Sequence, residues 1–109
     1  MRTISIADDF TKYPGGRYRK HGKGSGEEFR DDYLVPAIKN EEQLIIVLDG
    51  TAGYSSSFLE EAFGGLIRRG FQREKLRQLL RFKAEGAFKT YENMIWKFVD
   101  ATKPEAVAH

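Results

Sequence analysis

The period of the hydrophobic positions changes several times along this chain, and each change marks an element. The strongest signal is the continuous apolar run Leu44-Ile45-Ile46-Val47-Leu48, rich in β-branched residues and closed by Asp49-Gly50. Such a run predicts a strand buried on both faces, central in an α/β sheet. Behind it Phe58, Leu59, Ala62, Phe63, Leu66 and Ile67 fall at helical spacing, predicting an amphipathic helix that reaches Arg69 and stops at Gly70. Gly64-Gly65 lies in the middle of that helix at a cost of roughly 1 kcal/mol per glycine, which predicts close approach of another backbone. Ahead of the run, Ile4 and Ile6 alternate with polar residues in a first short strand over 2–6, which residues 10–13 extend or repeat.

The remaining segments carry clear punctuation. Pro14-Gly15-Gly16 is a turn signal, and the glycine-rich stretch up to Gly26 predicts a hairpin or a mobile loop. Ser25-Gly26-Glu27-Glu28 has capping-box spacing, so a helix starts there with Ser25 as N-cap and Phe29 and Tyr33 facing the core. Pro36 should kink or shorten it. After the central strand and its helix come a short helical turn over 72–76 and a strand over 78–83, with Leu80 and Phe82 on one face. A final helix over 88–101 precedes a polar tail, 103–109, that should fray. Strands alternating with helices predict a single small α/β domain over 1–102, a mixed sheet with helices packed on it.

Composition narrows the chemistry. With 109 residues, 40% of them hydrophobic and 31% charged, the chain builds one core. It has no cysteine, which excludes disulfides, zinc–thiolate sites and cysteine nucleophiles. No apolar run is long enough for a membrane span, and the first ten residues lack the apolar core of a signal peptide, so a cytoplasmic protein is expected. A net charge of +2 is too small for a general nucleic-acid coat. The basic concentration from Arg68 to Lys83 has few interleaved aromatics, which argues against single-strand binding there.

Candidate chemistry gathers at two places. Ser55-Ser56-Ser57 stands at the carboxyl end of the central strand and the amino end of the next helix, where open α/β sheets meet ligands. Ser57 and Glu60 have capping-box spacing, so Ser57 is the expected N-cap. The second place is the loop carrying Arg17, Arg19, Lys20 and Lys23, a glycine-rich basic segment before a capped helix that could hold an anion. It is not a Walker motif: five residues separate Gly16 from Gly22, and Gly24 stands where a Ser or Thr is required. Asp49-Gly50-Thr51 has the end of a haloacid-dehalogenase signature, but Val47 occupies the nucleophile's place. The histidines, His21 and His109, provide no positioned base for a serine nucleophile. Neither a metal site nor a cofactor is expected, and the pairs Asp31-Asp32 and Glu60-Glu61 are expected to be solvated helix faces.

The segments YPGGRYRKHG, GEEFRDDYLVPAI and LDGTAGYSSSFLEEAFGGL resemble the STAS-like family from about Phe10 to Phe82. More distantly, apolar strand, short turn, hydrophobic residue, serines and helix resemble the phosphorylation-site region of STAS domains, named for sulphate transporters and anti-sigma-factor antagonists. Their motif, Ile-Asp-Ser-Ser-Gly-Leu, falls here on residues 54–59, with Ser55 in place of the Asp and Phe58 in place of the Gly. The resemblance implies a STAS-like α/β fold and a non-enzymatic regulatory module that contacts other proteins. It also implies that Ser56 accepts phosphate from a histidine-kinase-like ATPase of the anti-sigma type, with Asp49, Thr51, Tyr54 and Phe58 around it contacting the partner. The alternative is a small nucleotide- or anion-binding domain or enzyme that uses the basic loop, with nucleic-acid binding ranked below both readings.

Overall fold

The computed structural model describes residues 1–104, which form an α/β domain. Three short strands, β1 (Arg2–Ser5), β2 (Leu44–Val47) and β3 (Leu80–Lys83), form a sheet of order β1-β2-β3. Both pairings are parallel, with Ile4, Ile46 and Phe82 side by side. The sheet is therefore wholly parallel and not mixed. Each return to it passes through helix: α1 (residues 26–39) joins β1 to β2, and α2 (residues 56–68) with α3 (Arg73–Leu79) joins β2 to β3. A helix in every connection lets each strand re-enter in the same direction, which a hairpin cannot do. The last helix, α4 (Lys89–Ala101), follows β3.

Two crossovers of the usual right hand, stepping the same way along a sheet, put their helices on one face. Burial agrees. Leu44, Ile46 and Leu48 are fully covered, whereas Ile45 and Val47 are only half-buried and Thr3 is exposed. The five-residue apolar run of β2 is thus central, as its composition predicts, but it is buried fully on one face alone. On the helix side Phe82 packs edge-on against Phe63 of α2 and Trp96 of α4, centroids 5.5 Å apart in both pairs. α2 lies between α1 and α4 as the principal helix of the core.

Local chemistry explains most departures from the expected elements. Residues 6–10 coil into one wide turn instead of extending the first strand. Ser5 Oγ accepts from Asp8 N–H at 3.2 Å and Asp9 Oδ2 accepts from Ser5 N–H at 2.7 Å, so side chains take the backbone partners a strand would need. Ser25 caps α1 as predicted, accepting from Glu28 N–H at 3.0 Å, while Glu28 Oε1 reaches back to Gly24 N–H at 3.1 Å. Pro36 neither ends nor interrupts α1. The turn before it widens so that Val35 N–H donates to Arg30 O, five residues back, and the helix continues to Lys39.

The segment from Pro14 to Gly24 is neither a hairpin nor free of the body. Gly15 N–H donates to Gly24 O at 2.7 Å, Gly26 N–H to Gly16 O at 2.9 Å and Glu27 N–H to Arg17 O at 3.0 Å, so the loop is laced to the start of α1. There α1 crosses α2. A Cβ on Gly26 would fall inside van der Waals contact with Phe58 O and 3.1 Å from Ala62 N, so the crossing requires glycine.

Gly26→Ala is therefore expected to destabilise the domain by about 3 kcal/mol or more. Gly16→Ala, where an added Cβ meets nothing within 4 Å, should stay within about 0.5 kcal/mol. Denaturant titration of both variants checks this, and equal midpoints would contradict the crossing.

Candidate functional site

The site grows from the end of β2. Leu48 N–H donates to Lys83 O at 2.9 Å, continuing the ladder one residue beyond the strand. Asp49 Oδ1 then accepts from Glu85 N–H at 2.8 Å, which ties the chain after β2 to the chain after β3. Thr51 Oγ1 accepts from Gly53 N–H at 3.2 Å and turns the backbone, and Gly53 takes φ 113° beneath the Tyr91 hydroxyl. Tyr54 follows and is buried. Its hydroxyl donates to Leu48 O at 2.7 Å, its ring meets Tyr91 edge-on at 4.9 Å, and burial pushes its pKa up to about 12.

Burying Tyr54 fixes where α2 begins. Ser55, extended at φ −76° and ψ 153°, is the N-cap: its Oγ accepts from Phe58 N–H at 3.0 Å and donates to Gly15 O at 3.2 Å. Ser57 is not the cap, and Glu60 is not its capping partner. Three consecutive serines allow more than one capping register, and packing of Tyr54 against Phe58, 5.6 Å between centroids, selects the earlier one. Ser56 is then the first residue of α2 and exposed, with no side-chain hydrogen bond among the described residues. Ser57 is half-buried.

Two of the expected partner contacts are withdrawn by the same packing. Phe58 is fully buried and Tyr54 only 8% exposed, so both belong to the core and neither presents a surface. Asp49 and Thr51 stay partly exposed, each with an oxygen engaged in shaping the loop.

Glu60 and Glu61 are not a solvated face. Glu61 is 6% exposed and forms ion pairs with Arg30, itself 7% exposed, with Arg17 at 3.2 Å and with Arg68 at 3.0 Å. Glu60 pairs with Arg17 and with both Nη atoms of Arg68, at 2.6 and 3.0 Å. Those partners, Arg68 foremost, hold the Glu60 carboxyl at about 2, well below its usual 4.5. Asp31 continues the network, pairing with Arg30 and Arg69 at 2.8 Å each. The Gly64-Gly65 pair makes room for these side chains and for Thr102, not for another backbone. A Cβ on Gly65 would stand 2.6 Å from Arg30 Nη1, and one on Gly64 would stand 2.7 Å from Thr102 Oγ1.

The anion site expected of the basic loop is partly dismantled by these pairs. Arg17 is engaged by Glu60 and Glu61, and Arg19 by Asp32 at 2.7 Å. Lys20 and Lys23 remain exposed with no acid partner among the described residues. Within the basic stretch after α2, two arginines are engaged by α4, whereas Arg81 and Lys83 stay exposed. Arg73 donates to the final carbonyls of α4, and Arg77 pairs with Asp100 at 2.8 Å and lies 4.5 Å from the Trp96 ring centre. Among the described residues no group of three or more His, Asp or Glu side chains could hold a metal ion, and no helix is long and apolar enough to cross a membrane. Of the tail, residues 105–109 lie outside the described residues.

A family described as the STAS-like domain of unknown function (DUF4325) matches residues 25–86, from the N-cap of α1 past β3. No curated protein and no solved structure matches the chain.

Two measurements follow from this geometry. Ser55→Ala should cost about 1 kcal/mol through the lost cap, and Ser57→Ala less, as read by denaturant titration. The depressed Glu60 carboxyl contributes stability that is complete above about pH 4.5 and is lost as pH falls toward 2. Glu60→Gln should therefore flatten the pH dependence of stability within that window and leave its shape at higher pH unchanged.

Proposed function

The chain belongs to the STAS-like domain family, and on that premise we propose that it is a non-enzymatic regulatory module switched by phosphorylation of Ser56. The supporting observation is the division of labour among the three serines. Ser55 caps α2, Ser57 is half-covered, and Ser56 stands exposed with an unengaged hydroxyl on the first turn of a helix that follows the central strand. The kinase would be a histidine-kinase-like ATPase, as the resemblance to STAS domains implies. Ser56 Oγ would form a bond to the γ-phosphorus of ATP, the bond to the β–γ bridging oxygen would break, ADP would leave and the hydroxyl proton would pass to a base on the partner.

The physical effect follows from position. A phosphoserine brings about −1.5 to −2 charges. At the amino end of α2 the helix dipole tolerates that charge, so the fold survives while the surface the partner meets becomes strongly negative. With Tyr54 and Phe58 in the core, that surface consists of Ser56 and Ser57 with the rim Asp49, Thr51 and Ala52. No residue here is placed as a catalytic base: the Asp49 carboxylate holds the Glu85 amide. The alternative, an enzyme or nucleotide site on the basic loop, has lost Arg17 and Arg19 to ion pairs.

The test incubates the purified chain with a histidine-kinase-like ATPase of the anti-sigma type from the same organism and with ATP, then reads the intact mass. One added phosphate is expected on the wild type, Ser55→Ala and Ser57→Ala, and none on Ser56→Ala, which should fold within about 0.5 kcal/mol of the wild type. An unchanged wild-type mass, or phosphate on another residue, would overturn the proposal.

A further inference from the structure

Residues 10–26 contain no acid, and once the ion pairs are assigned, the charges left on this segment are Lys12, Lys20 and Lys23, all exposed. With them stand Tyr13, 76% exposed, and Tyr18, 38% exposed, which apart from Met1 are the exposed large hydrophobic residues among those described. Lys20 Nζ lies 5.6 Å from the Tyr18 ring centre and the His21 ring 5.6 Å from it, so cation and aromatic face sit side by side. Beside them opens a shallow hollow of about 420 Å³ lined by Tyr18, Arg19, Lys20 and Glu27. The one acid in that hollow, Glu27, is turned onto the Arg19 amide at 3.0 Å.

From this arrangement we infer that the loop surface formed by Lys12, Tyr13, Tyr18, Lys20 and Lys23 binds single-stranded nucleic acid. Unpaired lysines spaced along a loop meet successive phosphates, and exposed tyrosine rings accept any base by stacking, so contact of this kind is tolerant of sequence. A protein partner fits the composition less well, because lysine is depleted from the cores of protein–protein interfaces. The surface is also held in shape before binding. Arg17 fixes the middle of the loop to α2, and Ala52 N–H donates to Lys12 O at 2.8 Å, anchoring its near end. Little ordering is then left for the ligand to impose. The site does not depend on Ser56 or on its phosphorylation.

The test is fluorescence anisotropy of a labelled oligothymidylate of about 12 nucleotides, a length within the range such surfaces cover. The wild type should bind, and raising the salt fourfold should weaken binding about 20-fold, as three phosphate contacts on a single strand require. The triple variant Lys12→Ala, Lys20→Ala, Lys23→Ala should lose most of that salt dependence. Tyr13→Ala and Tyr18→Ala should each weaken binding at least about 5-fold, and the corresponding Phe variants should restore it. These side chains lie on the surface, so an unchanged melting temperature separates lost binding from lost folding. No binding at low salt, or tyrosine variants that bind as tightly as the wild type, would overturn the inference. Displacement of the oligonucleotide by polyglutamate at equal charge would also overturn it and assign the surface to an acidic protein.

Discussion

The carboxylate pair Glu60–Glu61 is the point through which this structure is held together outside its apolar core. Two adjacent acids on one helix gather Arg17 from the loop, Arg30 from α1 and Arg68 from their own helix. Burial works against the charge on Arg30, yet the carboxylates of Asp31 and Glu61 more than offset it, and its pKa rises. A buried network of this kind adds little net stability compared with an apolar packing of the same volume, but losing one partner leaves a stranded charge at a cost of about 3–5 kcal/mol. Its consequence is geometric. The loop, α1 and α2 can meet in one register, the one in which every guanidinium finds a carboxylate.

That constraint places both surfaces on which function is argued. The crossing at Gly26 and the ion network lie on the same side of α2, and between them they bring the loop over the helix start, where Ser55 Oγ donates to Gly15 O. Ser56 is left outside this contact on the exposed turn. The lysines and tyrosines of the loop are left outside it as well, because Arg17 alone points inward and holds the segment from beneath. One set of ion pairs therefore separates cations that build the fold from cations that face solvent.

Much of the fold was legible in the pattern of apolar positions. The run at Leu44–Val47 announced the central strand, the spacing from Phe58 to Ile67 announced α2, and Ser25 announced the start of α1. Local signals failed where a distant partner decides. Arg30 lies 31 residues before Glu61, and Arg17 lies 43 before Glu60, so no helical spacing rule connects either pair. The serine run allowed more than one cap, and a tyrosine that looked like surface took the choice by entering the core. Tyr54 and Phe58 read as partner contacts through the resemblance to STAS domains, although Phe58 already stood in the apolar stripe that turns to the core. The glycine pair in α2 signalled close approach correctly, but what approaches is a guanidinium and a hydroxyl, which a sequence does not distinguish from backbone. Parallel pairing throughout the sheet was hidden by the glycine-rich loop, whose composition suits a hairpin although its hydrogen bonds run to α1.

The most direct test of the account is amide hydrogen exchange at Gly15, Gly26 and Glu27, whose N–H groups lace the loop to the start of α1. If the carboxylate pair holds the loop through Arg17, these amides are protected in the wild type. In Arg17→Leu they lose protection, while Leu48, bonded to Lys83 at the end of the sheet, keeps its own. Free exchange at the three amides in the wild type, or protection that Arg17→Leu leaves unchanged, would contradict the claim that the ion network fixes the loop.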